Sequence, residues 1–267
     1  MGMLDSIFDI PLPIAGLLII GSLCAFAIGG LLLVRRAVLP RLRIRLEDSE
    51  FSGSMLQAIM VFYGLAVALI AVSAFETYSE VSAIVTLEAS ELGALYRDAS
   101  SYPEPIRQEL QAELRDYARY VIDTAWPAQR TGTVALEGVA MLNRFQATLT
   151  GFEPASEGQR ALHAEALRAY NQLVEARSMR IDAAANSGLS GVLWVLVVAG
   201  AVIGLSATFF FKVEDVRLHA VMVGLLAAFI GLVIFMILAF DRPFRGDLAL
   251  GPDAYQQVYD VVMRDFP

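Results

Sequence analysis

The sequence predicts an all-α integral membrane protein: four transmembrane helices in two hairpins, with a helical extramembrane domain between them. Three observations carry that expectation. Residues 12–34, 55–75, 189–211 and 218–240 are almost free of charge, holding only Cys24, Tyr63 and His219 as ionisable side chains. About 20 apolar residues rise far enough as a helix to cross a hydrocarbon core of roughly 30 Å, where only helices or closed barrels satisfy their own backbone groups. The composition, 57% hydrophobic and 18% charged, departs in the membrane direction from the roughly 45–50% and 25% of soluble domains. Finally, residues 76–188 show helical spacing and no alternating strand pattern.

In chain order, residues 12–75 form the first hairpin, with an Arg-rich loop at 35–54. Asp5 and Asp9 stand where a signal peptide would be basic, so the first apolar run reads as a retained span. Residues 76–188 form the extramembrane domain. The second span continues as a helix through 79–101, with Ile84, Leu87, Glu88, Glu91, Leu92, Leu95 and Tyr96 at helical spacing. Pro103 and Pro105 stop it. A second helix over 104–125 turns Ile106, Leu110, Leu114, Tyr117 and Val121 to one face and ends at Trp126-Pro127. A third, over 133–149, points Leu136, Val139, Leu142 and Phe145 inward. The fourth starts at Ser156, a residue type suited to a helix N-cap. It runs to about Ala185 with Leu162, Ala166, Tyr170, Leu173 and Val174 inward. Residues 189–240 form the second hairpin. In the tail, 241–267, Asp-Arg-Pro-Phe-Arg-Gly-Asp from Asp241 requires a turn, and a short amphipathic helix over 253–264 follows with Tyr255, Val258, Tyr259 and Val262.

Charge distribution bears on orientation. Loop 35–54 carries Arg35, Arg36, Arg41, Arg43 and Arg45 against Glu47, Asp48 and Glu50, whereas the central domain has sixteen acidic residues against ten arginines. Basic short loops favour the cytoplasm. The expected topology therefore puts loop 35–54 and the turn at 212–217 inside, with the central domain and both termini outside. A net charge of −8 and a pI near 4.8 disfavour nucleic acid as a partner. His163 and His219 stand far apart without ligand-like spacing, so no metal and no cofactor is expected. Phosphate-binding, nucleotide-binding, metalloprotease and nucleophile-elbow motifs are missing from the sequence, so an enzyme is not expected.

Three groups of residues are candidates for function. On the second span Phe62, Ala66, Leu69, Ser73 and Glu76 fall on one helical stripe. As a pore lining they would form a hydrophobic constriction with a polar mouth, and such constrictions can gate by dewetting. As plain structure they would be a packed helix face ending in a solvated carboxylate. Glu88 and Arg97 would line a vestibule or take part in structural ion pairs. Gly200 and Gly204 form a small-xxx-small pair, suited to close helix packing within the chain or between subunits.

The segments Tyr63-Gly64, Ala74-Phe75, Glu88-Ala89, Leu92, Leu95-Tyr96-Arg97, Pro103, Tyr117 and Trp126-Pro127 resemble the DUF4239 family of membrane proteins, described as bestrophin-like. So does the ending Asp241-Arg242-Pro243-Phe244-Arg245-Gly246, with Pro252 and Tyr255. Bestrophins are pentameric anion channels with four spans per subunit, a pore lined by the second span, and a helical domain extending it. The resemblance therefore implies a homo-oligomeric pore for inorganic ions in the cell (inner) membrane, a pentamer first. It would place the central domain in the cytoplasm, opposite to the charge count. A non-conducting sensor or scaffold whose helical domain binds a partner is the alternative. Lys212 is the lone lysine against nineteen arginines, a usage expected of a GC-rich bacterium.

Overall fold

The computed structural model describes residues 10–41, 46–133, 137–211 and 213–264. Asp5, Asp9, Arg43, Arg45, Leu136 and Lys212 lie outside them, as do the side chains of Glu47, Asp48 and Glu50. Nine α-helices account for the regular structure of the described residues, and no strand occurs among them. They are α1 (Leu12–Ala37), α2 (Leu46–Ala99), α3 (Ile106–Tyr120), α4 (Trp126–Arg130), α5 (Glu137–Thr150), α6 (Glu157–Asn186), α7 (Gly191–Thr208), α8 (Val216–Asp241) and α9 (Asp253–Val258). π-turns at Val121–Ala125 and Tyr259–Met263 continue α3 and α9. Among the described residues, α1, α7, α8 and residues Gly53–Ala99 of α2 are long and apolar enough to cross a membrane. The chain is thus an all-α, multi-pass membrane protein. It divides into two compact units, Met1–Thr77 with Gly188–Arg242 and Tyr78–Ser187 with Pro243–Pro267, and α2 contributes to both.

In the membrane unit small residues let α1 and α8 approach closely. A Cβ on Gly231 would lie 3.0 Å from the Ile20 Cα, and one on Gly16 would lie 3.1 Å from the Phe235 ring. Close approach of this kind replaces the hydrophobic drive that hydrocarbon does not supply between helices. Ala27, Leu31, Val67, Ile70, Ala74, Val197, Ala201 and Ile237 fill the core. Span three is shorter than 189–211 suggested, because Gly188 adopts φ +127° before it and a turn follows Thr208. Its start is held by Asp241. That carboxylate accepts from Leu189 N at 2.5 Å and from Trp194 Nε1 at 3.3 Å, tying the end of span four to the start of span three. Asp241→Ala leaves both donors unmatched, the Trp194 one buried and the Leu189 one partly so, a loss of roughly 1–3 kcal/mol each at most. The expected result is a lower melting temperature together with a changed Trp194 emission spectrum, read by fluorescence during a thermal ramp.

The helical unit has its own core, built on Leu92, Leu95, Leu110, Leu114, Trp126, Phe145, Leu149, Leu173 and Tyr255. Ser156 caps α6 as its residue type suggests, accepting from Gln159 N at 3.2 Å, while Gln159 Oε1 accepts from Ala155 N at 2.8 Å. Trp126-Pro127 does not end helical structure. Pro127 lacks the N–H that would bond back to residue 123. Instead α3 widens into the π-turn and Pro127 occupies the first turn of α4, where a missing N–H goes unused. Some inward faces are rotated from expectation. Leu87, Val139, Leu162 and Val174 are exposed, whereas Val81 and Val85 are buried on α2 and Ala169 on α6. The tail packs into this unit. Trp126 Nε1 donates to Leu250 O at 2.9 Å, and the rings of Phe244 and Tyr255 meet Trp126 at 5.8 and 5.7 Å.

Tyrosines are concentrated in this core. Burial raises the phenol pKa of Tyr102 to about 12 and pushes Tyr117, Tyr120, Tyr170 and Tyr255 upward as well. An unfolded tyrosine loses its proton near pH 10, so above that value the folded state holds more protons than the unfolded one. Stability contributed by these phenols is complete below about pH 10 and lost as pH rises toward the folded values. A fall in melting temperature between about pH 10 and 12, steeper in the native protein than in Tyr102→Phe, is the expected result of a thermal scan over pH.

The pore-face candidates and the buried polar centre

Phe62, Ala66, Leu69, Ser73 and Glu76 share one side of α2, as their spacing requires. That side is turned away from the membrane unit's core: Phe62 is 73% and Leu69 64% exposed. Ser73 and Glu76 are also exposed, and Ala66 is half-buried. The packed side of the same helix presents Val67, Ile70, Ala71 and Ala74. The stripe is therefore not a face packed against the chain's own spans.

Gly200 and Gly204 lie against side chains of α2 within the chain. A Cβ on Gly204 would lie 2.6 Å from the Met60 sulfur, and one on Gly200 would strike the Tyr63 ring. The Tyr63 hydroxyl donates to Val197 O at 2.8 Å. The pair thus receives the two large side chains with which α2 rests on α7.

Glu88 and Arg97 are not partners. Arg97 is exposed, while Glu88 is fully buried in the helical unit. Arg180 Nε donates to Glu88 Oε2 at 2.5 Å and Arg180 Nη2 to Oε1 at 3.2 Å, a bidentate pair joining α2 to α6. Tyr117 donates to Glu88 Oε1 at 3.2 Å, Arg180 Nη1 to Gln129 Oε1 at 2.5 Å, and the guanidinium lies 5.5 Å over the Trp126 ring. Burial opposes the charge on Arg180, but the Glu88 carboxylate outweighs it and holds the guanidinium pKa above its usual value. Gln129 Nε2 and the Tyr255 hydroxyl are buried here without a hydrogen bond of standard geometry. The centre joins α2, α3, α4, α6 and the tail, and no catalytic constellation is evident in it. The sequence reading singled out Glu88 and missed Arg180, Gln129 and Tyr255 as its companions. Their one visible signal is a charged residue lying on each buried stripe: Glu88 among Val81, Val85, Leu92 and Leu95, and Arg180 after Leu173 and Ala176. Among the described residues no group of His, Cys, Asp or Glu could hold a metal ion.

The sequence has a counterpart among known protein families. The family model described as Bestrophin-like domain matches residues 21–255, and the chain belongs to the bestrophin-like family. No curated protein and no solved structure matches the chain.

Proposed function

We propose that the protein is an oligomeric ion-conducting pore, anion-selective as bestrophins are, with α2 lining the conduction path. The observation that carries this reading is the exposed side of α2. Phe62 and Leu69 point away from the chain's own core, and Glu76 is exposed toward the end of the same stripe. In a ring of subunits, five as the first expectation, such faces would close a hydrophobic constriction with a polar mouth. Arg97, exposed in the helical unit, would contribute to a vestibule. The basic loop 35–54 and the acidic central domain support an orientation with the loop inside. Glu76 itself favours a second selectivity, because a ring of carboxylates attracts cations.

Ion flux from proteoliposomes, with chloride and potassium gradients imposed separately, tests the proposal. Chloride flux that rises several-fold in Phe62→Ala is the expected result, since a narrower side chain at an apolar constriction lowers the dewetting barrier. Potassium flux would retain the pore and reverse its selectivity. Silence under both gradients from a correctly inserted oligomer would overturn conduction and favour the sensor or scaffold.

A further inference from the structure

The membrane unit contains an apolar groove of about 280 Å³ between α2 and α8. Gly64, Val67 and Ala68 form one wall, and Leu226, Phe229 and Val233 the other. The groove exists because α2 is small at this level. A Cβ on Gly64 would meet no atom within 4 Å, while Met60 and Tyr63 in the adjoining turns fill the space over Gly204 and Gly200. Gly64 stands near the middle of the uncharged run 55–75 and Phe229 near the middle of α8, so hydrocarbon surrounds the opening. The one hydroxyl in the lining, on Tyr63, is already bonded to Val197 O.

We propose that this groove binds an acyl chain of a bilayer phospholipid. Depth sets the chemistry: the groove lies at the level of lipid tails and offers no free polar group to a headgroup, a peptide or an ion. Its volume fits as well. It is many times the space that a single water needs, so a stretch of acyl chain can enter. Position argues against a second copy of the chain. At about 100° per residue, Gly64, Val67 and Ala68 centre on the side of α2 roughly opposite to Phe62, Leu69 and Ser73. If the latter face a central axis, the groove opens outward to lipid. That part of the argument rests on the pore reading; the groove and its chemistry do not.

Photolabelling tests the site. The full-length protein is reconstituted in phosphatidylcholine vesicles carrying a trace of phosphatidylcholine with a diazirine in mid-chain, and labelled peptides are quantified. The reference is the mid-span α7 surface with Val198 and Val202, which lie outside the groove lining and are 47% and 37% exposed. Peptides holding Gly64 and Phe229 should label several-fold above it, be competed by excess unlabelled phosphatidylcholine, and fall to the reference in Gly64→Leu/Ala68→Leu. Wild-type labelling equal to the reference would overturn the proposal, whether or not the variant folds. So would a variant that loses copies from the oligomer with labelling unchanged, which would assign the groove to a neighbouring subunit. Labelling is read without ion flux, so a protein that proves not to conduct leaves this result interpretable.

Discussion

Arg180→Met should lower the melting temperature of the helical unit by about 10 °C or more. The substitution keeps an unbranched side chain of similar reach but removes every donor that Arg180 offers. Glu88, fully buried on α2, then keeps the Tyr117 hydroxyl at 3.2 Å and the neighbouring Tyr255 phenol but no cation. Removing one partner of a buried ion pair costs about 3–5 kcal/mol, because the remaining charge stays desolvated without compensation. For a unit of this size each kilocalorie shifts the midpoint by roughly 2–4 °C. Loss of the cation–π contact with Trp126 adds about 1 kcal/mol. The protein in detergent, scanned by near-ultraviolet circular dichroism, reports the change through the packed aromatics of this core.

A double substitution separates the pair's energy from its role. Glu88→Met/Arg180→Met removes both charges and should recover most of the lost stability, because a buried pair and a well-packed apolar replacement of similar volume are close in free energy. Recovery of stability with a change in flux would place the centre in transmission to the membrane unit. Failure to recover would mean that the bonds to Gln129 and Tyr117, which tie α4 to α6 and α3 to α2, matter more than charge neutrality.

The spans were legible because membrane helices announce themselves by composition: twenty uncharged residues have few other destinations. Span three alone came out shorter, since its ends are set by Gly188 and the turn after Thr208, which apolarity does not register. Within the helical unit the periodicity identified α3 well, burying Leu110, Leu114, Tyr117 and Val121 as expected. It erred where apolar residues occupy two faces. Val139 and Val174 fit an inward spacing but are exposed. Arg180 stayed hidden for a different reason. Its partner lies 92 positions away, and local spacing carries no information about which distant residue neutralises a buried carboxylate. The tail was similarly opaque. Tyr255 reads as one aromatic on a short amphipathic helix, yet it is fully buried against Trp126, because the turn at Pro243–Leu250 folds α9 onto that core.

Glu76→Gln should raise chloride flux several-fold in a protein that conducts, and Glu76→Lys should raise it further. Glu76 is exposed on the same side of α2 as Phe62 and Leu69, so in a ring of subunits its carboxylates would gather around one axis. A chloride ion passing at about 10 Å from five such charges meets about 2 kcal/mol of repulsion at the dielectric of water. Screening at 0.15 M salt, with a Debye length of about 8 Å, reduces this to roughly 0.6 kcal/mol. A barrier of that size lowers chloride occupancy of the mouth by about threefold. Neutralising the ring restores it, and a potassium current under the opposite gradient should fall by a comparable factor. The effect should shrink in 1 M salt, where the Debye length is about 3 Å, whereas the Phe62→Ala increase should persist, because an apolar constriction is not screened. Selectivity unchanged in Glu76→Gln at low salt would remove Glu76 from the mouth and with it the outer end of the proposed pore.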